Sequence, residues 1–177
     1  MTKLKQGFIQ IYTGNGKGKS TAAIGQAVRA AGFGLKSYIA QFMKEYPYNE
    51  IESLKHLSEW ITVEQYCGDE FVYKKELPGE EELVKAKKGL QSAKDKMLSC
   101  EFDLIILDEV IVAIYFHLIE IKEVIEIVKS KPENVELILT GRYCSEELIE
   151  LADLVTEMKE VKHYYQKGIL SRKGIES

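Results

Sequence analysis

The chain is short of cysteine and has no long apolar run. Its 177 residues include three cysteines, Cys67, Cys100 and Cys144, which are too few and too widely spaced for a disulfide framework or a C-x-x-C motif. We expect free, partly buried thiols. No apolar run approaches the roughly 20 residues that cross a bilayer, and the segment MTKLKQGFIQIYTG lacks a signal-peptide core. These absences predict a cytoplasmic protein that does not enter a membrane.

Positive charge is also not in excess. The formal net charge is −4, and the lysines between positions 85 and 96 alternate with apolar residues, as on a solvated helix face. A nucleic-acid partner is therefore not expected, because phosphate-backbone binding requires clustered Lys and Arg. With 45% apolar and 29% charged residues, the chain has an ordinary globular composition. Its length predicts one domain over residues 1–177.

Apolar periodicity predicts alternating strands and helices. Strand patterns cover residues 7–12, 35–42, 61–66, 103–107, 135–140 and 154–158, and helix patterns cover 19–33, 79–100, a segment around 121–128 and a short stretch after 145. DLIIL at 103–107 is apolar throughout, as in strands that are buried on both faces. The alternation predicts an α/β fold with a mostly parallel central sheet and helices on both faces.

A glycine-rich loop follows the first predicted strand. Residues 13–21 read TGNGKGKST, in which Lys19 and Ser20 match the end of a phosphate-binding loop, but Thr13 stands where the usual pattern has its first glycine. Backbone N–H groups of such a loop converge on phosphate oxygens, and the following helix adds partial positive charge. Beginning at Gly14, the loop is one residue tighter and carries a second lysine, Lys17. These features suit holding a whole triphosphate as a leaving group.

A pair of carboxylates, Asp108 and Glu109, follows the strand DLIIL. Ligands of open α/β sheets bind at the carboxyl ends of the strands, so this pair and the loop are expected at one edge. Ser20 and a carboxylate supply the hard oxygen ligands that Mg²⁺ prefers. Taken singly, the loop is also compatible with a helix cap and the acidic pair with a polar strand end. Their occurrence together predicts a nucleotide and metal site.

Several segments together resemble a known family. They are TGNGKGKSTAA at the loop, QF-M-K at 41–44, LDE at 107–109, TGR at 140–142, ADLVTEM at 152–158 and the closing VKHYYQKGILSRKGIE. In this order they closely resemble the P-loop type of ATP:corrinoid adenosyltransferases. The resemblance implies a RecA-like P-loop fold, a homodimer, a flavoprotein reductant, and a reaction in which the Co(I) of a reduced corrinoid attacks the 5′ carbon of ATP and expels triphosphate.

The resemblance also implies roles for individual residues. The catalytic residues are Lys19, Glu109 and Phe71, and Mg²⁺ is held by Ser20 and Glu109 with Asp108 behind them. The nucleotide is held by Gly14, Asn15, Gly16, Lys17, Gly18, Lys19, Ser20, Thr21, Arg29 and Arg142. The tail from about 160 to 177 contributes to the active site, where His163 contacts substrate or braces the tail.

One departure concerns an aromatic pair that the family carries as G-F-x-W and uses to displace the lower cobalt ligand. Alignment on Gly68 places Asp69 and Phe71 at the two positions, so one aromatic is replaced by an acid. Phe71 alternatively belongs to the core. Two other functions are kept as alternatives to corrinoid adenosylation: a generic P-loop ATPase or small-molecule kinase, and a non-catalytic nucleotide sensor.

Overall fold

The computed structural model describes residues 4–44 and 48–176. Six strands alternate with helices along these ranges. The strands are β1 Ile9–Thr13, β2 Ser37–Phe42, β3 Ile61–Tyr66, β4 Leu104–Asp108, β5 Glu136–Thr140 and β6 Leu154–Glu157. The helices are α1 Lys19–Phe33, α2 Asn49–Leu54, α3 Glu70–Lys74, α4 Glu80–Leu98, α5 Val110–Tyr115, α6 Ile121–Lys129 and α7 Glu146–Leu151, with 3-10 turns at Lys55–Leu57 and Tyr164–Lys167.

All six strands form one sheet in the order β3-β2-β4-β5-β1-β6, and every neighbouring pair is parallel. The predicted sheet is therefore confirmed, and it is wholly rather than mostly parallel. Because all strands run the same way, their carboxyl ends share one edge. Strand β5 separates β1, which leads into the glycine-rich loop, from β4, which ends at Asp108.

Side chains of the central strands alternate between two apolar layers, one on each face. Ile39, Ile106 and Ile138 face helix α1, whose alanines are small enough to bring the helix close to the sheet. Ile105 and Leu137, with their neighbours on the same face, pack in a larger cluster with α4, α5 and α6. Both faces of the sheet are buried, which is why its strands read as continuous apolar runs. The prediction of helices on both faces is confirmed.

Differences from the predicted elements lie in short segments. Helices α2, α3 and α5 have five or six residues each, too few for a clear helical period, and the sequence did not reveal them. The long helix predicted over 79–100 is two residues shorter at its C-terminal end, at Leu98, and begins at Glu80. Strand β6 stops before Met158, which instead contacts the glycine-rich loop.

The three cysteines are thiols outside any disulfide, as predicted, but they are not uniformly half-buried. Cys67 is buried and Cys144 is intermediate, whereas Cys100 is exposed beside the end of helix α4. Within the described residues, none of the helices combines the length and the apolar character that crossing a membrane requires.

Candidate nucleotide site

The glycine-rich loop begins one residue late because Thr13 belongs to the sheet. Thr13 is the last residue of β1 and pairs with Glu157 of β6, and its carbonyl accepts a hydrogen bond of 2.8 Å from the N–H of Met158. Because Thr13 has the extended backbone of a strand, this position does not need a glycine. The chain leaves the strand at Gly14, where φ is 96° and a residue without a Cβ is favoured.

Gly16 and Gly18 shape the rest of the loop. The N–H of Gly16 donates to the carbonyl of Met158 over 2.6 Å, and a Cβ on Gly16 would lie only 2.7 Å from the same oxygen. Gly18 has φ of 122° and precedes helix α1, whose first turn receives no side-chain cap. The uncapped N–H groups and the helix dipole give this end of α1 the polarity that attracts a phosphate.

Lys19 is folded back across the loop. Its ammonium donates to the carbonyls of Gly14 and Gly16, each over 2.7 Å, and its side chain is buried beneath the backbone. Burial lowers the pKa of Lys19, partly offset by the charge of Glu109. A lysine in this position draws the loop into a tight turn while its charge stays at the centre of the turn.

Asp108 is the centre of a buried polar network. Thr140 Oγ1 donates to its Oδ1 over 2.7 Å, and Lys44 Nζ and Gln41 Nε2 donate to its Oδ2 over 2.7 and 3.1 Å. Burial favours the neutral acid, but the charge and hydrogen bond of Lys44, with further hydrogen bonds from Thr140 and Ser20, outweigh it and lower the pKa of Asp108. The carboxylate is therefore held ionised beside the loop.

Glu109 follows in a left-handed backbone conformation, with φ of 60°. Its N–H donates to Thr140 Oγ1 over 2.9 Å, so the same threonine holds both acidic residues. Left-handed conformation costs free energy in a residue other than glycine, and such residues concentrate at functional sites. Burial and the neighbouring Asp108 charge raise the pKa of Glu109. A bound cation would offset the negative charge of Asp108, which is one of the two causes that raise the pKa of Glu109.

The loop and Glu109 open onto a cavity of about 770 Å³, a size typical of small-molecule sites, whereas Asp108 is fully buried. Arg142, from the turn after β5, and Lys44 add positive charge to the wall. The other lining residues include the loop from Asn15 to Thr21, Glu109, and the tail residues His163, Tyr164, Tyr165, Ile169, Leu170 and Glu176. The tail predicted to reach the site does line the cavity.

The tail is tied directly to the loop. Lys17 Nζ donates to Glu176 over 2.8 Å and to the carbonyl of Ile175 over 3.0 Å. Arg172 also donates to the Glu176 carboxylate, over 3.1 Å, and its guanidinium lies 4.7 Å from the centre of the Tyr164 ring. The pKa of Lys17 is raised, chiefly by its hydrogen bond to Glu176.

Two predicted site residues lie elsewhere. Arg29 is exposed on α1, ten residues and about 15 Å along the helix from Lys19, and it is not part of the cavity wall. Phe71 is buried in the core, with its ring edge-on to Phe116 at 6.0 Å, and borders a separate cavity of about 440 Å³. The structure therefore matches the core alternative for the position of Phe71. The roles assigned to both side chains stay predictions.

Two residues of the site were not singled out from the sequence. Lys44 and Thr140 both contact Asp108, from 64 and 32 residues away. Each lies at or just beyond the carboxyl end of a strand, in segments that had been noted only for their family pattern. Their positions at the ends of predicted strands could have identified them, because polar residues at the ends of adjacent parallel strands meet at one edge of the sheet.

The donors at this edge fit a magnesium ion. Ser20 offers a hydroxyl, Asp108 and Glu109 offer carboxylates, and all are hard oxygen ligands. Among the residues that the structure describes, no group of three or more His, Cys, Asp or Glu is arranged to hold a metal. Mg²⁺ in nucleotide sites takes one or two protein ligands and completes its shell with phosphates and water, so Ser20 and one carboxylate would suffice to hold it.

Comparison with known proteins identifies the family. Residues 5–177 match the family described as ATP:corrinoid adenosyltransferase BtuR/CobO/CobP. A corrinoid adenosyltransferase of Escherichia coli (strain K12) is 33% identical over 174 residues, which cover 97% of this chain and 86% of that protein. Corrinoid adenosyltransferase CobA of Salmonella typhimurium is 32% identical, with the same coverage of 97% and 86%, and a Pseudomonas aeruginosa corrinoid adenosyltransferase is 30% identical, with 97% and 84%. The chain therefore belongs to the ATP:corrinoid adenosyltransferase family, as its sequence predicted, and corrinoid adenosylation is the function this membership assigns to it.

Proposed function

We propose that the chain uses Mg-ATP to adenosylate a reduced corrinoid and releases the triphosphate intact. The observation that carries this proposal is the tight loop from Gly14 to Gly18, closed around the Lys19 ammonium and opening onto a cavity lined by cations. Such a cradle stabilises the negative charge of a whole polyphosphate.

The transfer balances without a protein nucleophile. The electron pair of Co(I) attacks the 5′ carbon of ATP, a Co–C bond forms, and the bond between that carbon and the α-phosphate oxygen breaks with its electrons on triphosphate. Cobalt is formally oxidised by two electrons in this step. The protein contributes by orienting the two substrates and by stabilising the departing charge.

We assign the loop residues to the triphosphate. The backbone N–H groups of Asn15 and of Lys17 to Thr21, with the positive end of α1, bind phosphate oxygens, and Lys19 and Lys17 supply charge. The N–H of Gly16 is already bound to the Met158 carbonyl and holds the loop in place. Arg142 lines the same cavity and adds a further positive charge. Because Lys17 is engaged by Glu176, we propose that its charge becomes available to the nucleotide when the tail shifts.

Ser20 and Glu109 would hold Mg²⁺, with Asp108 behind them. A bound Mg²⁺ would neutralise charge on the departing triphosphate. Thr140 fixes the carboxylate of Asp108 and the backbone of Glu109 together, so the acids cannot move independently.

Further proposals concern the surroundings of the site. We propose that residues 1–177 act as one domain, that two copies form a homodimer, and that a flavoprotein supplies the electrons that keep the corrinoid as Co(I). Light scattering on the purified protein tests the dimer. The reductant is tested by whether a reduced flavoprotein replaces a chemical reductant in the assay.

An anaerobic assay tests the central proposal. The protein is incubated with Mg-ATP and chemically reduced cobalamin, the corrinoid spectrum is followed, and the polyphosphate products are separated. We expect one triphosphate for every Co–C bond formed. Release of ADP or orthophosphate without a spectral change would instead favour an ATPase or kinase, and ATP binding without any product would favour a sensor.

A further inference from the structure

Lys44 occupies an unusual place in the site. Its ammonium lies 2.7 Å from Ser20 Oγ and 2.7 Å from Asp108 Oδ2, so one cation bridges the hydroxyl and the carboxylate. The Lys44 side chain is 11% exposed and that of Asp108 is fully buried. The segment carrying Lys44 follows β2, whereas Ser20 lies in the first turn of α1 and Asp108 ends β4. Three separate elements therefore meet at one ammonium group.

A buried carboxylate needs a positive partner. Thr140 and Gln41 satisfy Asp108 with neutral hydrogen bonds, and Lys44 is the cation in direct contact with it within the described ranges 4–44 and 48–176. Lys19 does not share this role, because its ammonium is bound to the carbonyls of Gly14 and Gly16. Without Lys44 the carboxylate would be buried and unpaired, a costly state.

The oxygens that Lys44 bridges are oxygens assigned above to the surroundings of Mg²⁺. An ammonium and a divalent cation that contact the same hydroxyl and carboxylate repel each other strongly at such short range, so occupancy by one disfavours occupancy by the other. We propose that Lys44 and the divalent cation are alternative occupants of the position between Ser20 and Asp108. Lys44 acts as a positioning residue that keeps this pair together until the cation replaces it.

This inference rests on the proposed magnesium site and adds a means of controlling it. Binding of the cation must first break the Lys44 ion pair, so Lys44 weakens cation binding when no nucleotide is present. Lys44 Nζ already lies 5.4 Å from the centre of the Tyr48 ring, an attractive contact that does not depend on Ser20 or Asp108. The position of Lys44, on the segment after β2, therefore depends on whether a cation occupies the metal site.

Equilibrium binding of Mn²⁺ to the full chain without nucleotide tests the proposal. Free Mn²⁺ is counted by electron paramagnetic resonance for the wild-type protein and for Lys44→Met. We expect the dissociation constant for Mn²⁺ to fall by about tenfold or more in the variant, because Asp108 loses its competing cation. Lys131→Met is the matched control, since Lys131 binds three backbone carbonyls at the opposite edge of the sheet, and its Mn²⁺ affinity should be unchanged.

A purely structural role for Lys44 predicts the opposite sign. Loss of the bridge would then let Ser20 and Asp108 separate, and Mn²⁺ would bind more weakly. Unchanged, weaker or undetectable binding in the variant overturns the proposal. If Lys44→Met does not fold, Lys44→Gln is measured instead, because its amide keeps a donor for Asp108 while the charge is removed. Neither ATP nor corrinoid is present, so a failure of adenosyl transfer is a separate result.

Discussion

At the scale of single residues, the site depends on lysines whose ammonium groups are already engaged by the protein. Lys19 binds carbonyls of its own loop, Lys44 binds Ser20 and Asp108, and Lys17 binds the tail. Lys19 is thereby held at the centre of the loop before any ligand arrives, and such preorganisation reduces the ordering that substrate binding must bring about. Under the proposals above, Lys44 and Lys17 instead leave their protein partners when the ligands bind.

Lys19→Ala should lower kcat for adenosylation by about 100-fold or more, because the charge that stabilises the departing triphosphate is lost. Steady-state rates with chemically reduced cobalamin measure the effect. Lys131→Ala serves as the control, since it also removes a lysine bound to backbone carbonyls, at the far edge of the sheet. Equal losses in the two variants would show that stability, rather than the charge at the loop, limits activity.

Asp69 offers a second test at residue scale. It precedes α3 as its N-cap residue, its Oδ1 is buried without a hydrogen-bond partner among the described residues, and burial raises its pKa. Asp69→Phe restores an aromatic side chain at the position where the family pattern has one. We expect unchanged ATP affinity and a severalfold higher rate when the assay starts from Co(II). A rate equal to that of the wild type would remove this interpretation of position 69.

At the scale of elements, the phosphate loop is supported by a strand that lies far from it in sequence. Met158, the residue directly after β6, accepts a hydrogen bond from the N–H of Gly16, and the edge strand thereby fixes the loop's position against β1. The loop is thus held on one side by α1 and on the other by the sheet.

Gly16→Ala tests this support. A Cβ there would lie 2.7 Å from the Met158 carbonyl oxygen and 2.9 Å from the backbone of Lys159, so the loop and strand must separate. We expect a loss of about 1–3 kcal/mol in the free energy of unfolding, together with weaker ATP binding. Urea denaturation and calorimetric titration measure the two effects.

Gly25→Ala is the matched control on helix α1. A Cβ at Gly25 meets no atom within 4 Å, so alanine should stabilise the helix by about 0.5–1 kcal/mol and leave ATP affinity unchanged. If Gly16→Ala behaved like Gly25→Ala, the contact between the loop and β6 would not matter for the site.

At the scale of the whole molecule, the glycine-rich loop and the C-terminal tail meet at the cavity. Lys17 and Glu176 are 159 positions apart and form an ion pair there. The tail carries few buried apolar side chains, and its attachment consists chiefly of hydrogen bonds and charge. Such a segment contributes little to global stability but can affect the site it covers.

Removal of residues 162–177 tests the contribution of the tail. We expect a small change in the unfolding temperature of the free protein and a smaller rise in that temperature on adding Mg-ATP, because ligand stabilisation depends on affinity. Differential scanning calorimetry measures both. Glu176→Ala, which frees Lys17 while keeping the tail, separates the ion pair from the rest of the segment. An unaltered response to Mg-ATP in the truncated protein would contradict the role of the tail.

The sequence by itself determined the parallel sheet, the phosphate loop and the acidic pair, because these follow from local patterns. Apolar runs such as 103–107 predict buried strands, and TGNGKGKST predicts the loop that α1 completes. The family could be recognised for a related reason, since its motifs are contiguous segments. The short helices escaped detection because five or six residues do not display a helical period.

Only the tertiary structure decided which residues surround Asp108. Lys44 and Thr140 reach it because β2 and β5 lie on either side of β4, and the strand order is set by packing across the whole sheet. The same packing buries Phe71 and leaves Arg29 outside the cavity wall. Contacts between distant segments depend on the sum of many weak interactions, so no local pattern in the sequence encodes them.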